Sequence, residues 1–305
     1  MSKITKFINS EVARTFYALV FLFIVVYFMV IMQQVSDNRF LGSGEANKPL
    51  RDVGFEWFNF ITSYSVPDIM VFSSLGIMLV GVTILSNSWR KRLIFWRRFI
   101  WVTGFLYLYR GFTIVSTTLP PPKECVPIYT SNFRDLLTRG SLMIVGADRS
   151  CTDNIYSGHT MILTTSLINW IIYGRFRVLK VYALLHAVAG YYTVIASHLH
   201  FTVDVLLAIF ITYAIYIIYY SLVRSAVLKR FHAELGHTEL DEHLNTNVQY
   251  QKIAHTPHIL NRHLIPLITW MDGLDLRWKT IDLAGTLPIT QRDREMSYAG
   301  DPMGI

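Results

Sequence analysis

The chain has 305 residues, 52% of them hydrophobic and only 16% charged, with a formal net charge of +7 and a mean hydropathy of +0.35. Soluble domains carry about 25% charged residues, so this composition excludes an ordinary soluble globule and indicates a polytopic membrane protein. The positive charge collects at the ends of apolar runs rather than in one basic stripe, which excludes a nucleic-acid partner.

Six apolar stretches follow in chain order, at about 16–35, 66–86, 99–118, 160–174, 179–196 and 203–223. A helix needs about 20 residues to cross a hydrocarbon core of roughly 30 Å. The runs are continuous rather than alternating, so helices are expected and a barrel is not. The predicted fold is therefore all-α, with six transmembrane helices. The fourth run is short and is expected to extend through Ser157 and Gly158. The first follows Arg14, is too long for the core of a signal peptide and has no small-residue cleavage site after it, so it reads as a retained helix.

Basic residues set the orientation. Lys3, Lys6 and Arg14, then Arg90, Lys91, Arg92, Arg97 and Arg98, then Arg175, Arg177 and Lys180, then Arg224, Lys229 and Arg230 all fall on one side. The opposite loops are longer and poorer in Lys and Arg, so both termini are expected in the cytosol. Residues 12–224 read as one membrane domain and 225–305 as a polar cytosolic tail. The tail histidines His232, His237, His243, His255, His258 and His263 match no zinc spacing. Scattered apolar residues over 259–283 suggest an amphipathic segment on the membrane surface.

The lumenal loop 119–157 opens on Pro120, Pro121 and Pro122 and contains both cysteines, Cys125 and Cys151. Its compartment permits a disulfide without demanding one. The loop ends in CTDNIYSGHT at the start of the fourth span, and HFTVD opens the sixth. By this topology His159, His198, His200 and Asp204 meet at one membrane face. His200 and Asp204 stand at i and i+4, where a carboxylate can orient an imidazole and stabilise its cation. Gly158 allows a tight turn with backbone N–H groups close to an anion, and Ser157 and Thr160 add hydroxyls. Two histidines offer a nucleophile and a proton carrier for phosphoryl transfer, with no metal or other cofactor required. Arg110 lies deep in the third span on one face with Tyr107 and Thr117; it is either a cation for the phosphate or half of a structural ion pair. His186 reads as a helix–helix hydrogen-bonding residue. His198 reads equally as support for the site or as local packing.

At these residues the chain resembles the sphingomyelin synthase family, which is related to the lipid phosphate phosphatases. Arg97, Arg98, Tyr107, Arg110 and Thr117 keep the spacing of one family motif. Cys151, Asp153, Ser157, Gly158, His159 and Thr160 keep a second, with Thr152 where the family has glycine. His200, Thr202, Asp204 and Val205 keep a third, with Phe201 for tyrosine. A fourth motif survives only as Val66, Pro67 and Asp68. The resemblance covers about residues 66–223. It implies a Golgi or plasma-membrane enzyme with a lumenal or exoplasmic site. The implied reaction moves a phospho-head group from a glycerophospholipid to ceramide and releases diacylglycerol. It also implies that His200 attacks phosphorus with help from Asp204, and that His159 carries the proton. Rival readings are an inositol phosphoceramide synthase, a lipid phosphatase or phospholipase C that uses water, and a non-catalytic lipid-binding protein. The absence of an Arg-Pro dipeptide speaks against the phosphatases. A cationic head group would favour an acidic or aromatic cage, with Glu124, Asp135, Asp148, Asp153, Tyr129 and Tyr156 as candidates. The partners implied are membrane lipids and, for assembly, a second copy of the chain.

Overall fold

A computed structural model of the chain describes residues 10–43, 49–63, 65–234 and 263–283. These residues form helices and no strand: α1 (Glu11–Ser43), α2 (Val53–Trp57), α3 (Ser65–Leu85), α4 (Trp89–Ser116), α5 (Phe133–Ile144), α6 (Gly158–Tyr173), α7 (Arg177–Ala196), α8 (Thr202–Glu234), α9 (Ile265–Asp272) and α10 (Leu274–Leu283). Five of them, α1, α3, α4, α7 and α8, are long and apolar enough to cross a membrane. The fourth predicted span is α6, which has 16 residues and so measures roughly 24 Å at 1.5 Å per residue. It does begin at Gly158, with Ser157 as its N-cap. Its side chains from Thr160 to Ser166 are all buried, and it packs between α3 and α7. A helix surrounded by protein can be shorter and more polar than one that faces lipid.

The described residues divide into two compact units. The larger, Ala18–Ile217, holds the helices from α2 to α7, most of α1 and the first half of α8. Inside it, α1 lies against α4 where glycines admit aromatic rings. A Cβ on Gly104 would stand 2.6 Å from Phe21, and one on Gly111 would stand 2.8 Å from Phe28. Buried polar groups are matched between helices: Thr164 shares a hydrogen bond with Tyr191 at 2.9 Å, and Asn169 donates to Tyr216 at 2.7 Å. His186 has the helix-bridging role expected of it, bonding the Met70 carbonyl at 2.9 Å and Tyr182 at 3.1 Å.

The second unit joins the two ends of the chain. Arg14, almost fully buried, donates to Asp275 at 2.7 Å and to the Trp270 carbonyl, and it covers the Trp270 ring. Asp272 pairs with Arg277. In α9, Ile265, Ile268 and Met271 are buried while Leu267 and Trp270 are exposed. The segment expected to be amphipathic is thus a pair of short helices, the first of which is apolar on two sides. Of the tail histidines, His237, His243, His255 and His258 lie outside the described residues, as do 259–262.

Two short helices, α2 and α5, stand in segments read from the sequence as loops. Asp52 caps α2 by accepting the Gly54 N–H at 2.9 Å. Cys125 and Cys151 are joined by a disulfide.

Candidate active site

The site forms where the start of α6 meets the start of α8. Ser157 caps α6 by accepting the Thr160 N–H at 3.2 Å, so its hydroxyl serves the helix. The Ser157 N–H donates to the Asp204 carbonyl at 3.3 Å, which ties the two helix starts together. Asp204, in the first turn of α8, reaches back to accept the Phe201 N–H at 3.1 Å. On the outer side, Asp52 accepts from the Thr202 N–H at 2.8 Å and from its hydroxyl at 2.5 Å.

These contacts bring His159 and His200 together, with ring centroids 5.8 Å apart. Their carboxylates differ from the sequence expectation in one respect. His200 and Asp204 do share a helix face, but Nδ1 and Oδ2 are 4.0 Å apart, beyond hydrogen-bond reach. Asp204 is occupied by the cap it makes with Phe201. His200 Nδ1 and Asp204 Oδ1 are both buried without a hydrogen-bond partner. His159, in contrast, bonds Asp68 at 2.9 Å from Nε2 to Oδ1. A carboxylate accepts, so Nε2 carries the proton and Nδ1 is the basic nitrogen. The other Asp68 oxygen accepts from Arg149 at 2.6 Å. Sequence reasoning met Asp68 only as the remnant of a motif; the fragment Val66-Pro67-Asp68 was the available signal.

His200 is 4% exposed. Burial holds its imidazole well below the ordinary range, and the nearby His159 and Arg110 charges push it the same way; only the Asn154 backbone opposes them. The ring is therefore neutral near pH 7 and keeps a lone pair for attack.

Arg110 is buried, and each of its three guanidinium nitrogens donates a hydrogen bond. It donates to Asp153 at 2.5 Å, to the Tyr156 carbonyl at 2.8 Å and to the Met29 sulfur at 3.2 Å. Gly158 makes this approach possible, because a Cβ there would stand 3.1 Å from the guanidinium carbon. Arg110 and Asp153 form an ion pair, which stands with either of the two readings the sequence left open for Arg110. Asp153 stands between Arg110 and the cavity, and burial raises its carboxyl even though the guanidinium pulls it down.

A cavity of about 940 Å³ opens over the two histidines. Asp68, Tyr107, Lys123, Glu124, Arg149, Asp153, Asn154 and His198 line its polar part, and Val26, Met29, Val30, Phe72, Met143 and Val145 its apolar part. A cavity with both polar and apolar walls suits an amphiphile. His198 both lines this cavity and stacks on Phe55, with centroids 4.0 Å apart. Thr160 is fully buried and does not reach the cavity. Of the cage candidates, Glu124, Asp148 and Asp153 line the cavity, whereas Asp135, Tyr129 and Tyr156 do not. Tyr156 is buried and donates to the Leu106 carbonyl at 2.7 Å. Tyr129 faces outward, 66% exposed.

Residues 150–222, which carry both histidines, match the model of the PAP2 superfamily C-terminal domain. The chain is 31% identical over 233 residues to human phosphatidylcholine:ceramide cholinephosphotransferase 1, a match covering 72% of this chain and 55% of that protein. It is 33% identical over 184 residues to mouse phosphatidylcholine:ceramide cholinephosphotransferase 2, covering 55% of this chain and 48% of that one. The chain thus spans about half the length of the curated relatives it matches. The likeness read from the spaced motifs is borne out: residues 150–222 match the PAP2 superfamily C-terminal model, and the chain is similar in sequence to phosphatidylcholine:ceramide cholinephosphotransferases, the sphingomyelin synthases.

Proposed function

We propose that the chain is a ceramide phosphotransferase working through a phosphohistidine. The observation that carries this reading is the pair His159 and His200, with ring centroids 5.8 Å apart, lining a cavity of about 940 Å³ with polar and apolar walls. Phosphorus seated between the rings has a nucleophile on one side and a proton carrier on the other. Nitrogen of neutral His200 bonds to phosphorus, and the bond to the diacylglycerol oxygen breaks. His159, as imidazolium steadied by Asp68, gives that oxygen its proton through Nδ1 and becomes neutral. The C1 hydroxyl of ceramide then loses its proton to the same nitrogen, and its oxygen displaces His200 from phosphorus. As His200 attacks, its ring gains positive charge, and the Asp204 carboxyl, with Oδ2 4.0 Å from Nδ1, stands near enough to stabilise it; contacts of this length tighten as the reaction proceeds.

Arg110 acts from behind Asp153, and its charge helps keep His200 neutral. Arg149, at the cavity wall and 57% exposed by side chain, is the cation placed to meet the phosphate oxygens. Glu124 lines the rim and makes no ion pair among the described residues. It suits a cationic head group, phosphocholine or phosphoethanolamine, over phosphoinositol. We place the site on the lumenal or exoplasmic face, with six spans, α6 included, and both termini in the cytosol of a Golgi or plasma-membrane protein.

The test is lipid mass spectrometry on the purified protein with ceramide and, separately, phosphatidylcholine, phosphatidylethanolamine and phosphatidylinositol. The expected result is a ceramide product from a cationic donor together with one diacylglycerol. Diacylglycerol release unaffected by ceramide would instead establish the hydrolase reading. A product only from phosphatidylinositol would overturn the role of Glu124.

A further inference from the structure

Outside the reacting groups, one buried carboxylate is more heavily engaged than any the mechanism uses. Asp37 is fully buried near the end of α1, roughly 39 Å from its start at 1.5 Å per residue and thus beyond a hydrocarbon core of roughly 30 Å. Its Oδ1 accepts from the Ser150 hydroxyl at 2.8 Å, the Cys151 N–H at 3.1 Å, the Thr152 N–H at 3.1 Å and the Thr152 hydroxyl at 2.9 Å. Its Oδ2 pairs with Arg139 at 3.1 Å, which also holds Asp148 at 2.8 Å and the Arg149 carbonyl at 3.2 Å.

Residues 150–157 form one continuous strap from this anchor into the site. After Thr152 come Asp153, held by Arg110; Asn154, whose side chain donates to the Pro120 carbonyl at 3.0 Å; Tyr156, whose carbonyl takes Arg110; and Ser157, fixed to Asp204. The strap has no secondary structure of its own, so its placement depends on its fastenings. Thr152 adds a side-chain fastening: its hydroxyl bonds Asp37 and also Ser36, at 3.0 Å.

We propose that Asp37 is a positioning residue for the transfer reaction, setting through Thr152 where the strap presents Asp153 and the start of α6. This rests on the function proposed above. A displacement of about 1 Å at a reacting centre costs on the order of a hundredfold in rate, and a hydrogen bond to a charged group is among the stronger ones.

The test uses the full-length protein in lipid nanodiscs, as Asp37→Asn, Thr152→Val, Thr152→Ser and the double variant Asp37→Asn/Thr152→Val. Head-group transfer is measured as kcat and KM separately. Hydrogen exchange is followed over 150–157 and does not depend on any activity. We expect kcat to fall on the order of tenfold to a hundredfold in Thr152→Val with KM little changed, and Thr152→Ser to restore it. The double variant should be no worse than Asp37→Asn alone, because both remove the same fastening. Exchange at 153–157, beyond the residues that touch Asp37, should quicken about tenfold or more in Asp37→Asn and Thr152→Val. Unchanged exchange at 153–157 in folded Thr152→Val overturns the proposal whatever the enzyme's substrate. So does a kcat equal to wild type, or a loss in the double variant equal to the product of the single losses. A wild-type protein that transfers no head group refutes the proposed reaction instead, and the exchange result still decides the positioning.

Discussion

At the scale of single residues, the site rests on two imidazoles with different surroundings. His200 is enclosed and kept neutral, while His159 faces the cavity with Asp68 on its Nε2. The nucleophile is active when deprotonated, and its pKa lies well below the ordinary 6.5. Activity should therefore persist as pH falls to 6.5 and be lost only further down, as His200 takes up a proton. Asp68→Asn should lower kcat on the order of tenfold to a hundredfold by leaving the His159 imidazolium without its counter-charge, while the acid limb, which belongs to His200, stays in place. A pH–rate profile of wild type and variant checks both. A limb that moves with Asp68 would assign it to His159. The histidines were legible because ionisable groups at the start of apolar runs are costly and so conspicuous. Asp68 and Asp37 were not legible as partners. They stand 91 residues from His159 and 115 from Thr152, and no local spacing links residues so far apart. Arg110 illustrates a related limit: its depth in α4 was legible, but its engagement by Asp153 and the Tyr156 carbonyl depends on how the strap folds back.

At the scale of elements, the site depends on how helices start. Ser157 caps α6 and Asp204 reaches back over the first turn of α8, so the residues that fix the helix ends sit next to the reacting groups. The fastening farthest from the chemistry is Asp52, which holds both α2 and the start of α8. Asp52→Ala should cost about 1–2 kcal/mol, by comparison with lost helix caps. It should also lower kcat, because the start of α8 carries Asp204. Thermal unfolding in detergent and steady-state kinetics test the two effects separately. The apolar runs gave these helices their places because a continuous run of about 20 residues has few alternatives in a membrane. The short helices α2 and α5 escaped detection because their residues are mixed in polarity and their stability comes from contacts with distant parts of the chain. Tyr27 on α1, for example, donates to the Leu137 carbonyl of α5 at 2.8 Å.

At the scale of the whole molecule, the distribution of Lys and Arg is the argument for orientation. The exposed side chain of Phe133, at the start of α5, offers a place to test it. A cysteine introduced as Phe133→Cys should react with an impermeant thiol reagent from the lumenal or exoplasmic side, and labelling from the cytosol would invert the topology. The central claim is that the head group passes through His200. Its most direct measurement is rapid quenching of the purified protein with a donor labelled in the head-group phosphate, followed by peptide mapping. The account predicts an acid-labile, base-stable label on the peptide containing His200, discharged by ceramide and absent from His200→Ala. A label on another residue, or head-group transfer by His200→Ala at the wild-type rate, would contradict it.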